Sequence, residues 1–310
     1  MIDFTHIDSQ GCDEADLERV QQFLTEKYRI RNITRDPEMG NLSPEQVAKL
    51  LYTEWNTPDA AIRLTSDLPL TKLKKSDLFR WARWLLLAIH EAKGVKATPG
   101  KNLPRKLVTQ MVNKALDSTL REDLWQFNKV LNEVDVNPVH ITRVACQAAG
   151  VLRLYKGRFV IPKTKAHFFK PEQPGELFTL LFTAYFRKLN MAYASNFGPD
   201  ANALQSSFPY TLYRLGELAA DWCPTEQLTD EVLLPAIRHE ILLELGEPST
   251  WSLGELLEYR VIMPLIEWGL LDARYDSDIK YFKKLTDIRT TDLYRDFITF
   301  TLPDARDWRP

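Results

Sequence analysis

The sequence of 310 residues is poor in the residue types from which metal sites and disulfides are built. It has three cysteines, which stand far apart at Cys12, Cys146 and Cys223. This spacing excludes a CxxC zinc pair and a disulfide framework of the kind found in small secreted domains. The five histidines are isolated as well, so the sequence predicts no metal site. Free, scattered cysteines are typical of a reducing compartment.

Glycine-rich motifs and long apolar runs are also absent from the sequence. None of the phosphate-binding and nucleophile motifs GxxxxGK(S/T), GxGxxG and GxSxG occurs. The most apolar stretch, residues 81–89, contains Arg83 and is far shorter than the roughly 20 residues that cross a bilayer. The first residues lack the basic start and the apolar run of a signal peptide. We therefore expect a soluble cytoplasmic protein that contacts no membrane.

Two partial catalytic patterns fail on geometry or spacing. Asp77, Glu91 and Lys93 occur in the order that metal-dependent nucleases use, but a single helix would place the two carboxylates about 20 Å apart. His239-Glu240 lacks the second histidine of a zinc protease at the required spacing. We name no catalytic residue, no metal ligand and no cofactor, and an enzyme is the least favoured class of function.

The distribution of charge is the feature of the composition that stands out. Although the net charge is −2, residues 61–170 carry 21 Lys and Arg against 8 Asp and Glu, whereas residues 171–310 carry 13 against 22. A basic block of this size indicates a polyanionic partner such as nucleic acid. It is equally consistent with attraction to the chain's own acidic half, since net charge reports steering and not fold.

Composition and helix signals predict a mainly α-helical protein. The chain is 45% hydrophobic and 26% charged, which is typical of a globular fold. An amphipathic helix is predicted over residues 13–31, and capping residues predict helix starts at Ser43-Pro44 and Ser76. The apolar residues at helical spacing in the first of these helices are Leu17, Val20, Phe23 and Leu24. A later stripe predicts a buried helical core and consists of Phe178, Phe182, Tyr185 and Phe186.

A pattern of helix, glycine, strand, turn and strand recurs after Gly94, Gly150 and Gly269. A glycine just past a helix allows the left-handed turn from which a strand can start. Alternating apolar residues predict a hairpin in the second and third copies, whereas the first copy is too short for a full hairpin. Helices that lead into small hairpins are typical of winged-helix modules, which are helix-turn-helix units with an added wing.

We therefore predict a mainly α fold of tandem winged-helix-like modules with small β-hairpins and a helical insert. Residues 1–170 would form an N-terminal helical region with two such modules. Residues 176–310 would form a helical domain with a third module. The prolines and the glycine of residues 171–175 make this segment the predicted linker.

Several segments resemble a little-studied family of bacterial proteins. Members share the patterns L-S-P-E-Q and G-(V/L)-K-x-T-x-x-G-N-L-P-R-K-L-V, which occur here at residues 42–46 and 94–108. Lys101 departs from the second pattern, because it stands between the glycine and the asparagine. Residues 186–193 also look similar to the family. The resemblance implies a bacterial-type, mainly helical fold, and it implies no activity and no catalytic residue.

The hypothesis of nucleic-acid binding rests on residues 93–170. The helix predicted over residues 137–149 has one apolar side and gathers polar side chains on another, as a recognition helix does. These polar residues are His140, Arg143 and Gln147. Flexible cations at and after a hairpin suit contacts with backbone phosphates. The candidates of this second kind are Arg153, Lys156, Arg158, Lys163 and Lys165, together with Lys101, Arg105 and Lys106 earlier in the block.

The alternative is a protein-interaction scaffold with no nucleic-acid or catalytic role, because winged-helix units also bind proteins. In that case the basic block would meet an acidic protein or the chain's own acidic half. The expected partners are therefore DNA or another protein. A continuous basic surface would favour nucleic acid, and a surface neutralised by carboxylates would favour the scaffold.

Overall fold

The computed structural model describes residues 14–169, 174–195, 198–246, 248–276 and 284–304. The helices in these ranges are α1 (Glu14–Ile33), α2 (Pro44–Tyr52), α3 (Leu70–Leu73), α4 (Asp77–Glu91), α5 (Arg105–Ala115), α6 (Ser118–Phe127), α7 (Asn137–Ala148), α8 (Pro174–Arg187), α9 (Met191–Ser195), α10 (Asn202–Leu218), α11 (Thr225–Glu231), α12 (Pro235–Leu245), α13 (Leu253–Leu257), α14 (Met263–Glu267) and α15 (Asp292–Phe297). The strands are β1 (Ile62–Leu64), β2 (Val95–Lys96), β3 (Arg153–Tyr155), β4 (Arg158–Val160), β5 (Cys223–Pro224), β6 (Leu271–Tyr275), β7 (Leu285–Thr290) and β8 (Ile298–Phe300). A turn of π-helix (Glu258–Ile262) joins α13 to α14, and 3-10 helices occupy Pro37–Met39, Glu133–Asp135 and Lys163–Phe169.

This architecture confirms the prediction of a mainly α fold with small antiparallel hairpins. The predicted helix starts are present as well. Ser43 and Gln46 form a capping box at the start of α2, and the Ser76 hydroxyl accepts the backbone N–H of Phe79 at the start of α4. Each cap satisfies backbone N–H groups that the first turn of a helix leaves without a partner.

Residues 77–160 form one arrangement, which we call the first unit. Its elements follow in the order α4, β2, α5, α6, α7, β3 and β4, and its strands form one sheet in the order β2-β4-β3. Phe159 lies in the central strand, opposite Val95 on one side and Leu154 on the other. The hairpin predicted after Gly150 is therefore confirmed.

The segment after Gly94 forms no hairpin of its own. Its strand, β2, has two residues and pairs with β4 from the hairpin that follows Gly150. Two residues are too few to fold back and pair with themselves, so this strand becomes the edge of a sheet built elsewhere in the chain. The two glycine-marked segments within residues 1–170 thus share one sheet, and this corrects the expectation that each would build a module.

The described residues between 202 and 290 repeat the same order of elements, and we call them the second unit. The order is α10, β5, α11, α12, α13 to α14, β6 and β7, and the sheet has the order β5-β7-β6. Ile288 in the central strand lies opposite Cys223 and Ala273. Gly150 and Gly269 follow the last helix of each unit, α7 and α14, with φ angles of 70° and 72°. The same topology therefore occurs twice.

Helix α8, together with the strands β1 and β8 that flank the two units in sequence, joins the units. Phe178 and Phe182 of α8 meet Trp268 edge-on at ring-centre distances of 5.1 and 5.3 Å, and Phe297 contacts the same two phenylalanines. The predicted aromatic stripe of α8 is buried, as expected. β1, which precedes the first unit, pairs with β8, which follows the second, and one apolar core runs through both units.

The predicted linker, residues 171–175, lies partly outside the described residues. Its last two residues, Pro174 and Gly175, are buried in the first turn of α8. A Cβ atom on Gly175 would lie 2.3 Å from the backbone oxygen of Ser66, so this turn is pressed against the segment after β1. The domain boundary between residues 170 and 176 stays a prediction.

Gly175→Ala is expected to destabilise the protein. The obstructing atom belongs to the backbone and cannot rotate away, so the free energy of unfolding should fall by about 1–3 kcal/mol. Gly100→Ala is the control, because the nearest atom to a Cβ there is 3.7 Å away. Urea unfolding of both variants measures the difference, and equal stability of the two would contradict the close approach at Gly175.

Candidate nucleic-acid interface

Arg143, a predicted base-contacting residue, keeps its guanidinium inside the first unit. The residue is 9% exposed, its Nε donates to Oε1 of Glu133 at 2.6 Å, and its Nη1 donates to Oε1 of Gln147. The guanidinium carbon also lies 5.7 Å from the centre of the Phe159 ring. Reaching a base edge would leave the buried Glu133 without its cation, and breaking such a buried pair costs about 3–5 kcal/mol.

The other polar residues of α7 belong to the same cluster. Nδ1 of His140 lies 2.8 Å from Oε1 of Glu133, and Nε2 lies 2.7 Å from the hydroxyl of Tyr193 in α9. We call Glu133, His140, Arg143 and Gln147 the Glu133 cluster. Its central carboxylate is fully buried, and it holds the 3-10 helix before α7 against α7 itself.

Glu133 stays ionised despite its burial. Burial by itself raises the pKa of a carboxyl group. Hydrogen bonds from His140 and from the backbone N–H of Leu103, together with the charge of Arg143, outweigh this effect and hold the pKa of Glu133 below its ordinary value of 4.5. Because Leu103 stands just before α5, the same carboxylate also fixes the start of that helix.

The structure thus brings His140, Arg143 and Gln147 together but gives them a structural role. As contacts to nucleic acid they stay a prediction, and none of them enters the interface proposed below. Glu133 was not predicted as a member of this cluster, because it lies in the segment before α7. Helical spacing relates Arg143 to Gln147, but it says nothing about a residue outside the helix.

A group of cations lies on the outer side of the first unit's sheet. Lys96 pairs with Arg158, and Arg158 pairs with Tyr155, so these three side chains share one side. Arg153 stands two residues before Tyr155 on the same side, and Lys156 follows in the turn. We call Lys96, Arg153, Tyr155, Lys156 and Arg158 the basic sheet face, and all five are exposed. Lys96 and Tyr155 were not predicted members, because only the strand register places them there.

No carboxylate compensates the basic sheet face among the described residues. Arg153 and Lys156 lie over the ring of Tyr155, at 5.1 and 5.5 Å from its centre. None of the four cations forms a salt bridge with a described Asp or Glu. Like charges directly opposite each other, as at Lys96 and Arg158, destabilise a sheet. The positive charge of this face is therefore available to solvent or to a partner.

Lys101 lies next to the hairpin. It is exposed in the turn between β2 and α5, with a left-handed φ of 60°. This turn starts beside the β3–β4 turn, where the N–H of Ala97 donates to the oxygen of Gly157 at 2.9 Å. The residue that departs from the family pattern thus adds a cation close to the edge of the basic sheet face.

Four further predicted cations lie on helices that flank the sheet in sequence. Arg105 and Lys106 are exposed in the first turn of α5. Nε of Arg105 donates to Oδ1 of Asn132 at 2.7 Å. Lys163 is exposed and Lys165 is half-buried in the 3-10 helix after β4. Their membership in a shared contact surface stays a prediction.

In the corresponding sheet of the second unit, the arginine side chains contact an aromatic ring and a carboxylate of the same unit. Arg274 and Arg289 lie over the ring of Trp222, with guanidinium carbons 3.9 and 4.7 Å from its centre. Nη2 of Arg289 also forms an ion pair with Oδ2 of Asp272 at 2.9 Å. The positive charge of these two arginines is therefore engaged by contacts within the second unit.

The strand register relates the two sheets position by position. Phe159 and Ile288 occupy equivalent places in the central strands. Counted from them, the second sheet has Asp287 where the first has Arg158, and Asp272 where the first has Arg153. The two units therefore share a topology and differ in the charge of the same surface.

Residues 74–176 match the model of the Y4jL N-terminal domain family. The match covers about a third of the chain and contains every element of the first unit. It supports the resemblance to a little-studied family. Residues 94–108 of the resembling segments lie inside it, and residues 42–46 and 186–193 lie outside. No curated protein and no solved structure matches the chain.

Three further features of the described residues bear on other kinds of site. Among the described residues, no group of three or more His, Cys, Asp and Glu side chains is placed to hold a metal ion. Nor does any described helix combine the length and the apolar character that crossing a bilayer requires. Burial raises the pKa of the Cys146 thiol in α7 well above its ordinary value, so this cysteine packs as a small apolar residue.

The Glu133 cluster predicts a specific loss of stability in acid. The pKa of Glu133 is lower in the folded chain than its ordinary value of 4.5. The ionised carboxylate therefore makes its full contribution to the free energy of unfolding at a pH above that ordinary value. This contribution is lost as the pH falls through the lower folded value. Glu133→Gln should reduce the free energy of unfolding by about 3–5 kcal/mol at neutral pH, since it leaves Arg143 buried without its anion. The variant should also lose that part of the acid dependence.

Asp135→Asn is the matched control, because it removes an exposed carboxylate two residues away. Urea unfolding of the wild type and both variants, from neutral pH to below 4.5, measures the two effects. A Glu133→Gln variant as stable as Asp135→Asn at neutral pH would contradict the role given to the cluster.

Proposed function

We propose that the first unit is a winged-helix module that binds DNA through the basic sheet face. The order helix, strand, helix, helix, strand, strand, with the first strand paired to the last, is typical of such modules. In this assignment α4, α5 and α7 are the three helices, α6 is an insertion before the third, and the β3–β4 hairpin is the wing.

The observation that carries the proposal is the uncompensated charge of the wing. Three exposed cations share one side of a small sheet and Lys156 follows in the adjoining turn, and no described carboxylate forms a salt bridge with any of the four. Holding like charges together is unfavourable unless a polyanion or its counterions screen them. The second unit supports the assignment by contrast, because aspartates occupy the positions there that correspond to Arg153 and Arg158.

The proposed mode of binding is contact with the phosphate backbone. Cationic wing tips fix the position of a protein on DNA and carry no sequence information themselves. The arginine and glutamine of α7 that suit base edges are engaged with Glu133 and with each other. We therefore expect weak sequence preference and strong dependence on salt.

The alternative, a scaffold whose basic block meets the chain's own acidic half, receives little support from the ion pairs. Among the described residues, Lys72–Asp296 is the salt bridge that joins residues 61–170 to residues 171–310, with Nζ and Oδ2 2.6 Å apart. It lies outside the first unit. An acidic protein remains the competing ligand, and the experiment below distinguishes it from nucleic acid.

The variant Arg153→Glu/Lys156→Glu is expected to weaken binding to a labelled DNA duplex by about tenfold or more, because two phosphate contacts become repulsive. With about four contacts, the wild-type slope of log affinity against log salt should be about −4, and the variant should lose about 2 of it, at about 0.9 per phosphate. Two duplexes of unrelated sequence should lose affinity by the same factor. Fluorescence anisotropy across salt concentrations measures all three quantities.

The matched control is Arg274→Glu/Lys284→Glu, which changes the net charge equally beside the hairpin of the second unit. Its affinity should stay within about twofold of the wild type if binding is local to the first wing. Arg158 is left unchanged, because its Nη2 donates to the backbone oxygen of Gly94 at 2.7 Å and so supports the sheet. Equal losses in the two variants would contradict a localised site. Competition by polyglutamate as strong as by DNA would favour the acidic-protein alternative.

A further inference from the structure

The first helix of the chain carries apolar side chains that the rest of the described fold does not cover. Every residue from 16 to 29 in α1 is exposed, and α1 meets the body of the protein at α2, with Ile30 and Ile33 half-buried near its end. Its large apolar residues are 42% to 59% exposed, and they are Leu17, Val20, Phe23, Leu24 and Tyr28. The amphipathic helix predicted from the sequence is therefore present, but its apolar side lacks the core that the pattern implies.

The exposed residues form a seam of the kind that pairs helices. Leu17, Val20, Leu24 and Tyr28 follow one another at intervals of three and four residues, so they line one side of the helix, with Phe23 flanking them. The helix has 20 residues and is about 30 Å long, which gives this seam three turns of contact. A continuous apolar strip on an exposed helix marks an interaction surface.

The net charge of α1 changes sign along its length, although Arg19 lies in the acidic half and Glu26 in the basic half. The first half carries the exposed Asp16 and Glu18, and the second half carries the exposed Lys27, Arg29 and Arg31. The ion pairs within the helix, Arg19–Asp16 and Arg29–Glu26, involve side chains that are more than half exposed. Such pairs contribute little to stability, so their members remain able to meet a partner.

We propose that the occupant of this seam is α1 of a second copy of the same chain, lying antiparallel. An antiparallel pair centred close to residue 22 places Val20 beside Leu24 of the partner subunit and Leu17 beside Tyr28 of the partner subunit. On the flank of the seam, Asp16 then faces Lys27 of the partner subunit, and the two-fold axis repeats this contact. A parallel pair would instead align the acidic first half of α1 with the acidic first half of the partner helix, and the basic second half with the basic second half, which is repulsive. This inference is independent of the proposed binding of nucleic acid.

Light scattering coupled to gel filtration tests the pairing with the full chain. At about 50 µM the wild type should have twice the chain mass of 35.9 kDa. The Leu24→Glu variant should have the mass of one chain, because burying an unpaired carboxylate in the seam is energetically costly. Leu243→Glu is the matched control: Leu243 is 69% exposed on a different helix, α12, and its replacement should leave the dimer intact. A wild type with the mass of one chain would overturn the proposal.

Exchange of charge tests the orientation. Asp16→Lys and Lys27→Asp, made singly, should each raise the dissociation constant of the dimer by about tenfold or more, because each places like charges opposite one another. The double variant Asp16→Lys/Lys27→Asp should restore the wild-type constant, measured by sedimentation equilibrium. Single variants that dimerise like the wild type would exclude the antiparallel register. A chain that dimerises only after residues 1–13 are deleted would assign the seam to that segment and overturn the proposal.

Discussion

The buried carboxylate of Glu133 is the interaction on which the first unit depends. It receives hydrogen bonds from two side chains of α7 and from the backbone before α5, so three segments of chain take up one relative position. A buried carboxylate that lost these contacts would be costly, which makes the arrangement cooperative. As a result, the side chains of Arg143 and Gln147 are engaged within the first unit. Exposed cations that have no carboxylate partner among the described residues lie on the basic sheet face and in the neighbouring turn.

The second unit shows that topology and surface charge are separate properties of this chain. Both sheets place an apolar residue, Phe159 or Ile288, at the centre of three strands. On the outer side, Arg158 corresponds to Asp287, and the arginines of the second sheet stack on Trp222. A fold can host several functions, and the chemistry of its surface decides between them. The two units are therefore expected to have different partners despite their common order of elements.

The basic sheet face and the seam of α1 both lack partners among the described residues, and the two surfaces suit partners of different chemistry. The basic sheet face carries charge without carboxylates, whereas α1 exposes an apolar seam. The aromatic core around Phe178, Phe182 and Trp268 is filled by α8 and the second unit, and β1 pairs with β8. Neither surface is needed to complete that core, so each can bind a partner without unfolding the rest.

The sequence by itself determined the local structure. The caps at Ser43 and Ser76, the turn at Gly150 and the hairpin after it depend on contacts within a few residues, so their spacing was enough to predict them. The predicted hairpin likewise placed Arg153, Lys156 and Arg158 near its tip as candidate phosphate contacts. Only the tertiary structure decided which charges have partners and which apolar sides are covered. Val95 pairs with Phe159 across more than sixty residues, Glu133 reaches Arg143 from outside its helix, and the described part of the chain leaves the apolar side of α1 exposed. These outcomes depend on which distant segments meet, and no local period of the sequence records that.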